Sequence, residues 1–201
     1  MSSSEAAPGS GRRGCLVVVS GPSGAGKTSI CERLLNRIAD STWSVSVTTR
    51  PRRGREVDGA NYRFVSGEQF AAMRDRGQLL EWAQYVGNLY GTPAEPIRQA
   101  IDSGKTAILE IDVQGGIQVA AKMPESIRVF VLPPTRETLE ARLKGRETET
   151  AEQLRRRLAE ADGEIAAARD SGAYDHFVTN DDLDETVGRL LAIIKKRTEI
   201  A

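Results

Sequence analysis

Residues 21–28 read GPSGAGKT and match the pattern GxxxxGK[ST] at every fixed position. The apolar run Cys15–Ser20 precedes them, as a strand buried on both faces would, and a helical pattern over about 27–39 follows. In such a unit the glycines let backbone N–H groups turn toward phosphates at the positive end of the helix dipole. A turn that merely connects strand and helix is the alternative, but the flanking elements favour a nucleoside triphosphate site.

Lys27 and Thr28 supply the side-chain chemistry of this loop. The lysine adds a point charge at the β- and γ-phosphates, and the threonine offers a hydroxyl to Mg²⁺. The predicted triphosphate-binding residues are Gly21, Pro22, Ser23, Gly24, Ala25, Gly26, Lys27 and Thr28. The loop does not by itself name the acceptor of the phosphoryl group.

Further strands of the same apolar type recur along the chain. They are predicted at Thr106–Val113, Ile127–Leu132 and Phe177–Thr179, each followed by a helical pattern, the last near residues 184–198. Strands that alternate with helices indicate a doubly wound parallel sheet, and so an α/β fold.

Two segments depart from this alternation. Between about residues 43 and 92 the pattern becomes shorter pieces: strands at Ser44–Thr48, Asn61–Val65 and Leu80–Val86, a Gly87–Asn88 turn, and a helix opened by a capping box of Ser66 and Gln69. Residues 135–171 are more polar, and Thr150 with Gln153 forms a second capping box before a long charged helix. We expect a small mixed insertion and a second, helical one.

Composition limits the function classes. The 201 residues, 39% of them hydrophobic, can form one core, and 28 basic residues balance 28 acidic ones. Such a balance gives no bulk attraction to nucleic acid or an anionic membrane. The chain shows no apolar run of about 18–20 residues and no secretory signal, so a cytoplasmic protein is expected.

A few residues receive structural interpretations. Residues 1–14 have a composition that cannot repay the entropy of ordering, which predicts a flexible tail. Cys15 and Cys31 have no metal or redox spacing and are interpreted as small buried hydrophobes. His176 is the only histidine and lies away from every motif, so a packing or surface role is expected.

The segment RPRRGRE, residues 50–56, places four arginines within six residues after a predicted strand. Clustered guanidinium groups are tolerable on a solvated loop, and they are useful where a phosphate is held by bidentate hydrogen bonds. Composition alone does not separate these two interpretations.

Several motifs in order give the chain a family resemblance. They are GPSGAGKT (21–28), SVTTRPRRGREVDGANYRFV (46–65), LLEWAQYVGNLYGT (79–92), ILEIDVQG (108–115), RLKGRETET (142–150) and TNDDL (179–183). Along roughly residues 15–198 the chain resembles the guanylate kinase family. The resemblance implies a P-loop core (15–42, 93–134 and 172–201), a GMP-binding insertion (43–92) and a mobile lid (135–171), with ATP, GMP and Mg²⁺ as the bound species.

The resemblance also implies roles for individual residues. It places Arg50, Arg53, Tyr62 and Tyr90 around the GMP phosphate, and Ser46, Glu81, Thr92 and Asp112 around the guanine base. The lid arginines that close over the moving phosphoryl group are expected to be Arg142, Arg146 and Arg157. Glu110 is similar to the carboxylate that helps organise Mg²⁺ and Arg50, with Thr28 as the other metal-side residue.

Elementary chemistry is consistent with the base-binding set. Guanine presents N–H donors at N1 and N2 and an acceptor at O6, so carboxylates on one side and hydroxyls on the other suit it. Thr92 has a second possible role, because Thr92-Pro-Ala-Glu95 reads as a capping box with proline at the first helical position.

Two other function classes remain open at this point. One is a catalytically silent binding module, since kinase-like domains of this type also occur in scaffolds that bind phosphorylated peptides. The other is a P-loop kinase for a different nucleotide, which would keep the loop but not the paired acceptors Glu81 and Asp112.

Overall fold

The computed structural model describes residues 14–144 and 150–200. The predicted tail, apart from Gly14, and the candidate lid residue Arg146 lie outside the described residues. The strands are β1 Cys15–Ser20, β2 Ser41–Trp43, β3 Val47–Thr48, β4 Arg63–Phe64, β5 Leu79–Tyr85, β6 Asn88–Pro93, β7 Thr106–Glu110, β8 Ile127–Leu132 and β9 His176–Thr179. The helices are α1 Lys27–Arg37, α2 Gly67–Asp75, α3 Ala94–Asp102, α4 Val113–Lys122, α5 Arg136–Lys144, α6 Ala151–Ser171 and α7 Leu183–Ile200.

The larger sheet has five strands in the order β2-β7-β1-β8-β9, and all its pairs are parallel. Alternate residues of β1 enter opposite faces of the core. Val17 and Val19 pack in one cluster with Leu34 of α1, whereas Leu16 and Val18 pack in another that includes residues of α3 and α4. A strand buried on both faces explains the continuous apolar run, and the prediction of a doubly wound α/β fold is confirmed.

The smaller sheet has the order β4-β3-β6-β5 and its own apolar cluster of Val47, Phe70 and Leu79. Strand β5 carries a bulge: Leu79 pairs with Pro93 and Glu81 with Thr92, so Leu80 is an extra residue. The bulged Leu80 belongs to the larger sheet's cluster with Leu16 and Val18. The bulge therefore fixes where the small sheet meets the core.

Helices α5 and α6 pack on each other through an apolar cluster formed by Leu139, Leu143, Leu154, Leu158 and Ala161. Two of the three predicted capping boxes are present, at Ser66 with Gln69 and at Thr150 with Gln153. Within the described ranges, none of the helices combines the length with the apolar character that crossing a bilayer demands.

The sequence-based prediction was wrong in several local details. The strand expected at Ser44–Thr48 is shortened to Val47–Thr48, which joins the small sheet, and a separate strand that was not predicted, Ser41–Trp43, joins the large sheet. The strand expected to run from Thr106 to Val113 ends at Glu110, because Asp112 caps α4. The hairpin turn is formed by residues 86 and 87 rather than by Gly87–Asn88.

The capping box predicted at Thr92 was also wrong. Strand β6 continues to Pro93, which is the N-cap of α3 and makes no side-chain capping bond. The hydroxyl of Thr92 is instead directed at Glu81.

Candidate active site

The phosphate loop follows β1 at the carboxyl edge of the large sheet. Gly21, Gly24 and Gly26 have φ values of 147°, 88° and 92°, which only glycine adopts without strain. A Cβ atom at Gly26 would collide with Asn180, and one at Gly24 would lie 2.9 Å from Leu139 of α5. The glycines of the motif thus serve both the loop's conformation and its packing against the neighbouring segments.

Lys27 lies against the loop that it follows. Its Nζ donates to the carbonyl oxygens of Gly21 at 2.6 Å and Pro22 at 3.1 Å. Burial lowers the pKa of Lys27, and the nearby carboxylate of Glu110 opposes that shift. The ammonium group is therefore held ready within the loop for an anion.

Thr28 and Glu110 form an oxygen pair beside the loop. Thr28 Oγ1 donates to Glu110 Oε1 across 3.0 Å, and Glu110 ends β7, the strand next to β1. Burial raises the pKa of Glu110, while Lys27 acts in the opposite direction. A hydroxyl and a carboxylate at this distance are the kind of ligands that Mg²⁺ accepts directly or through water.

Arg50 is the centre of a second cationic cluster. It is buried, and its guanidinium donates to Glu56 at 2.7 and 3.0 Å, which raises the pKa of the arginine. Its Cζ atom lies 5.4 Å from the ring centroid of Tyr62, whose ring contacts that of Tyr90. Glu56 also accepts from the backbone N–H of Arg53 at 2.8 Å. A carboxylate thus occupies the bidentate fork that suits a phosphate.

Of the four residues predicted around the guanine base, two line the cleft and two are buried beneath the surface. Ser46 and Asp112 line the cleft described below, and Asp112 Oδ1 also accepts from Gly115 N at 2.7 Å as the cap of α4. Glu81 is only 5% exposed, and Thr92 Oγ1 donates to its Oε1 at 2.5 Å. Burial raises the pKa of Glu81 to about 7.

Of the arginines predicted for the lid, Arg157 contacts the phosphate loop and Arg142 contacts a residue bonded to that loop. Arg157 Nη2 of α6 donates to Ser23 Oγ at 2.6 Å, and Arg142 Nη2 of α5 donates to the carbonyl oxygen of Asn180 at 3.1 Å. Among described residues, Arg142 Nη1 is buried and has no hydrogen-bond partner. Asn180 Nδ2 in turn donates to Ala25 O at 2.8 Å, which links the lid arginine to the loop.

One cleft of about 930 Å³ connects these groups. The predicted residues that line it are Gly21, Ser23, Lys27, Thr28, Ser46, Arg50, Arg53, Tyr62, Tyr90, Glu110, Asp112 and Arg157. Within the described ranges, the predicted residues outside this lining are Pro22, Gly24, Ala25, Gly26, Glu81, Thr92 and Arg142. The structure therefore brings the loop and the arginine cluster into a single cavity, with Glu81 behind its wall.

Sequence reasoning missed several residues at this cleft. Glu56 lines the cleft and completes the quoted arginine-rich segment, for which only the arginines carried a predicted role. Asn180 of the quoted TNDDL segment lies outside the lining but donates to Ala25 O of the loop. Glu160 and Glu164 of α6 line the cleft together with Arg157. Spacings of three and seven residues from Arg157 place them on one helical face, which is the signal that could have found them.

Comparison with known proteins identifies the family. A family model described as guanylate kinase matches residues 13–197. A guanylate kinase from Halalkalibacterium halodurans is 46% identical over 182 residues, covering 90% of this chain and 88% of that protein. Another, from a Chelativorans species, is 48% identical over 184 residues, covering 91% of this chain and 83% of that protein.

A solved structure agrees with these relatives. The crystal structure of guanylate kinase from Anaplasma phagocytophilum matches with a TM-score of 0.73 at 31% identity, covering 93% of this chain and 87% of that chain. The family model and the relatives cover nearly the whole chain, including both sheets and the segments that line the cleft. The chain belongs to the guanylate kinase family.

Proposed function

We propose that this chain transfers a phosphoryl group from ATP to GMP and yields ADP and GDP. The observation that carries the proposal is that one cleft is lined both by Lys27 of the phosphate loop and by the Arg50 and Arg53 cluster. Two cationic sites in one cavity suit two phosphate-bearing substrates that face each other.

The chain's contribution to the reaction is alignment and charge neutralisation. A phosphate oxygen of GMP is already an anionic nucleophile, so no general base is required. Lys27 binds the phosphates of ATP, and Arg50 with Arg53 holds the acceptor phosphate after it displaces the carboxylate of Glu56. Arg157 reaches the loop from α6 and stabilises the negative charge on the phosphoryl group during its transfer.

The pair formed by Thr28 and Glu110 is the proposed place for Mg²⁺. Among the described residues no group of three or more His, Cys, Asp or Glu side chains could hold a metal by itself. The hydroxyl of Thr28 and the carboxylate of Glu110 fit magnesium, which relies on one or two protein oxygens together with phosphates and water. When bound, the ion neutralises charge on the β- and γ-phosphate oxygens of ATP.

Glu81 and Thr92 are the proposed readers of guanine. Thr92 takes one lone pair of Glu81 Oε1, which leaves acceptor capacity for the N1–H and N2–H donors of guanine. Adenine presents a lone pair at N1 and lacks the N2 amine, so a desolvated carboxylate would stay unpaired. Sites of this kind reject the wrong analogue by roughly 10⁴–10⁵ in kcat/KM.

We place the protein in the cytoplasm. Both of its cysteines carry thiols, which suits a reducing compartment, and its proposed substrates are nucleotides of general metabolism.

The test is an assay of ADP release with ATP and a panel of nucleoside monophosphates. We expect turnover with GMP, little with AMP, CMP or UMP, and none once EDTA has removed Mg²⁺. Equal rates with AMP and GMP would reject the base assignment. Absence of turnover with every acceptor would reject the kinase activity and favour a binding module.

A further inference from the structure

The outer edge of strand β5 is paired by side chains of a helix rather than by another strand. In the sheet order β4-β3-β6-β5, β5 is an edge strand, and it packs against α4 of the core. Gln118 Nε2 donates to the carbonyl oxygen of Trp82 at 2.8 Å, and its Oε1 accepts from Trp82 N at 3.2 Å. One turn later, Lys122 Nζ donates to Leu79 O at 3.0 Å.

Glu81 lies between the two backbone positions that α4 holds. The bulge at Leu80 precedes it, and the residue clamped by Gln118 follows it. Its Oε2 approaches the first turn of α4 so closely that a Cβ atom at Gly115 would lie 2.9 Å away. The depth of this carboxylate is therefore set by how β5 sits on α4.

The same helix also carries Asp112 as its N-cap, and Asp112 lines the cleft. A single rigid element thus connects a carboxylate at the mouth of the acceptor site with the buried carboxylate of Glu81. The connection to Asp112 is covalent, whereas the connection to Glu81 runs through the contacts between α4 and β5, among which the amide of Gln118 holds the residue next to Glu81 by two hydrogen bonds.

We propose that Gln118 is a positioning residue that determines acceptor specificity, because it fixes the carboxylate of Glu81 relative to Asp112 at the guanine site. The inference rests on the proposed function and adds to it a residue outside the cleft. Gln118 is not among the residues that line the cleft, and it acts through the backbone of Trp82. A small displacement of a binding group, of the order of 1 Å, costs about a hundredfold in efficiency.

Gln118→Met tests the inference, because methionine keeps the length and removes both hydrogen bonds. We expect kcat/KM for GMP to fall about ten- to a hundredfold, mainly through KM for GMP, and the GMP-to-AMP ratio to narrow at least about tenfold. KM for ATP and the titrated affinity for ATP should stay within about twofold of wild type.

Gln99→Met is the matched control. Gln99 is an exposed glutamine on α3 that donates to Glu95 at 2.9 Å, four residues earlier on the same helix. The Gln99→Met variant loses one hydrogen bond on the helix surface through the same substitution. Its kinetics therefore show what a glutamine-to-methionine replacement does to activity away from β5. We expect wild-type selectivity from this variant.

Gln118→Asn guards against a methionine variant that fails to fold. Asparagine keeps the amide group, but its side chain is one methylene shorter and cannot make both hydrogen bonds to Trp82 while β5 stays in place. We therefore expect the GMP-to-AMP ratio to narrow in this variant too, but less than in Gln118→Met. A folded Gln118→Met or Gln118→Asn with wild-type KM for GMP and wild-type selectivity overturns the inference alone. A wild-type protein without activity on GMP overturns the proposed function, and this inference with it.

Discussion

Arg157 of α6 donates to the hydroxyl of Ser23 in the phosphate loop across 2.6 Å, although 134 residues separate them in the chain. The contact places a guanidinium group of α6 beside the loop at which we propose that the triphosphate binds. We expect Arg157→Ala to lower kcat by about a hundredfold, because one preorganised donor to the moving phosphoryl group is lost. Steady-state kinetics with saturating ATP and GMP measures the effect.

Arg155→Ala is the control for that experiment. Arg155 lies on the same helix, two residues earlier, and its side chain is exposed. Its loss should leave kcat near wild type. If both variants lost activity equally, general damage to α6 would explain the result and the role of Arg157 would be rejected.

Glu81→Gln should increase stability at high pH. The carboxyl pKa is about 7 in the folded protein against an ordinary value of 4.5, because burial disfavours the charge. Below the ordinary pKa both states are protonated. Between that value and about 7 the unfolded chain releases its proton first, so the folded state loses stability as the pH rises. At pH 8 we expect the variant to gain about 1–3 kcal/mol.

Denaturant unfolding of wild type and variant at pH 8 and at pH 5 measures this difference. The gain should shrink toward pH 5, where wild-type Glu81 is largely protonated. Glu125→Gln, at an exposed position, should show no comparable gain. A gain for Glu81→Gln that did not change with pH would contradict the assigned cause.

The same Glu81→Gln variant should lose function. An amide offers guanine a donor where a carboxylate offers only acceptors, so kcat/KM for GMP should fall and the GMP-to-AMP ratio should narrow. ATP affinity, measured by direct titration, should stay near wild type because the loop is untouched. Full discrimination against AMP in this variant would show that Asp112, Ser46 and Thr92 select the base without Glu81.

Lys27→Ala should reduce turnover by at least about a hundredfold and leave the fold intact. The lysine contacts loop carbonyls and belongs to none of the apolar clusters, so its removal takes away a phosphate ligand and no packing. Turnover and thermal unfolding are measured together. Lys196→Ala on the exposed face of α7 is the control, and near-wild-type turnover by Lys27→Ala would reject the mechanism.

Deletion of residues 1–13 should leave kcat/KM unchanged, because their composition offers no apolar anchor. The deletion must stop before Gly14, whose N–H donates to Ile101 O at 3.0 Å and whose Cα packs against Lys105. A shortened chain that lost most of its activity in the same assay would show that this segment takes part in function.

Local signals explain what could be predicted from the sequence. The phosphate loop, the strand β1 and the capping boxes each depend on residues within about one turn of one another. The sheet type followed from the apolar runs, because a strand covered by helices on both faces has no polar side. The motif order then supplied the site residues that resemblance places around two nucleotides.

The sequence-based predictions failed where a side chain is hydrogen-bonded by a segment that is distant in the sequence. The capping box at Thr92 has the right sequence, but Glu81 of β5 takes the hydroxyl, and no local pattern reports that partner. The pairing of Gln118 with Trp82 and of Arg50 with Glu56 likewise became visible only with the fold. The bulge at Leu80 hides the alternation by which β5 could have been placed in register.

That bulge also bears on how the acceptor site can evolve. Leu79, Leu80 and Glu81 are consecutive, yet Leu79 packs in the small sheet's cluster, Leu80 packs in the main core, and Glu81 accepts from Thr92 at the proposed guanine site. A point substitution alters one of these environments at a time. An inserted or deleted residue exchanges all three at once, since a shift of one position redirects every side chain of a strand. We therefore expect residues 79–81 to tolerate substitutions but not insertions or deletions, so that a change of nucleotide preference at this site would have to keep the length of the chain constant.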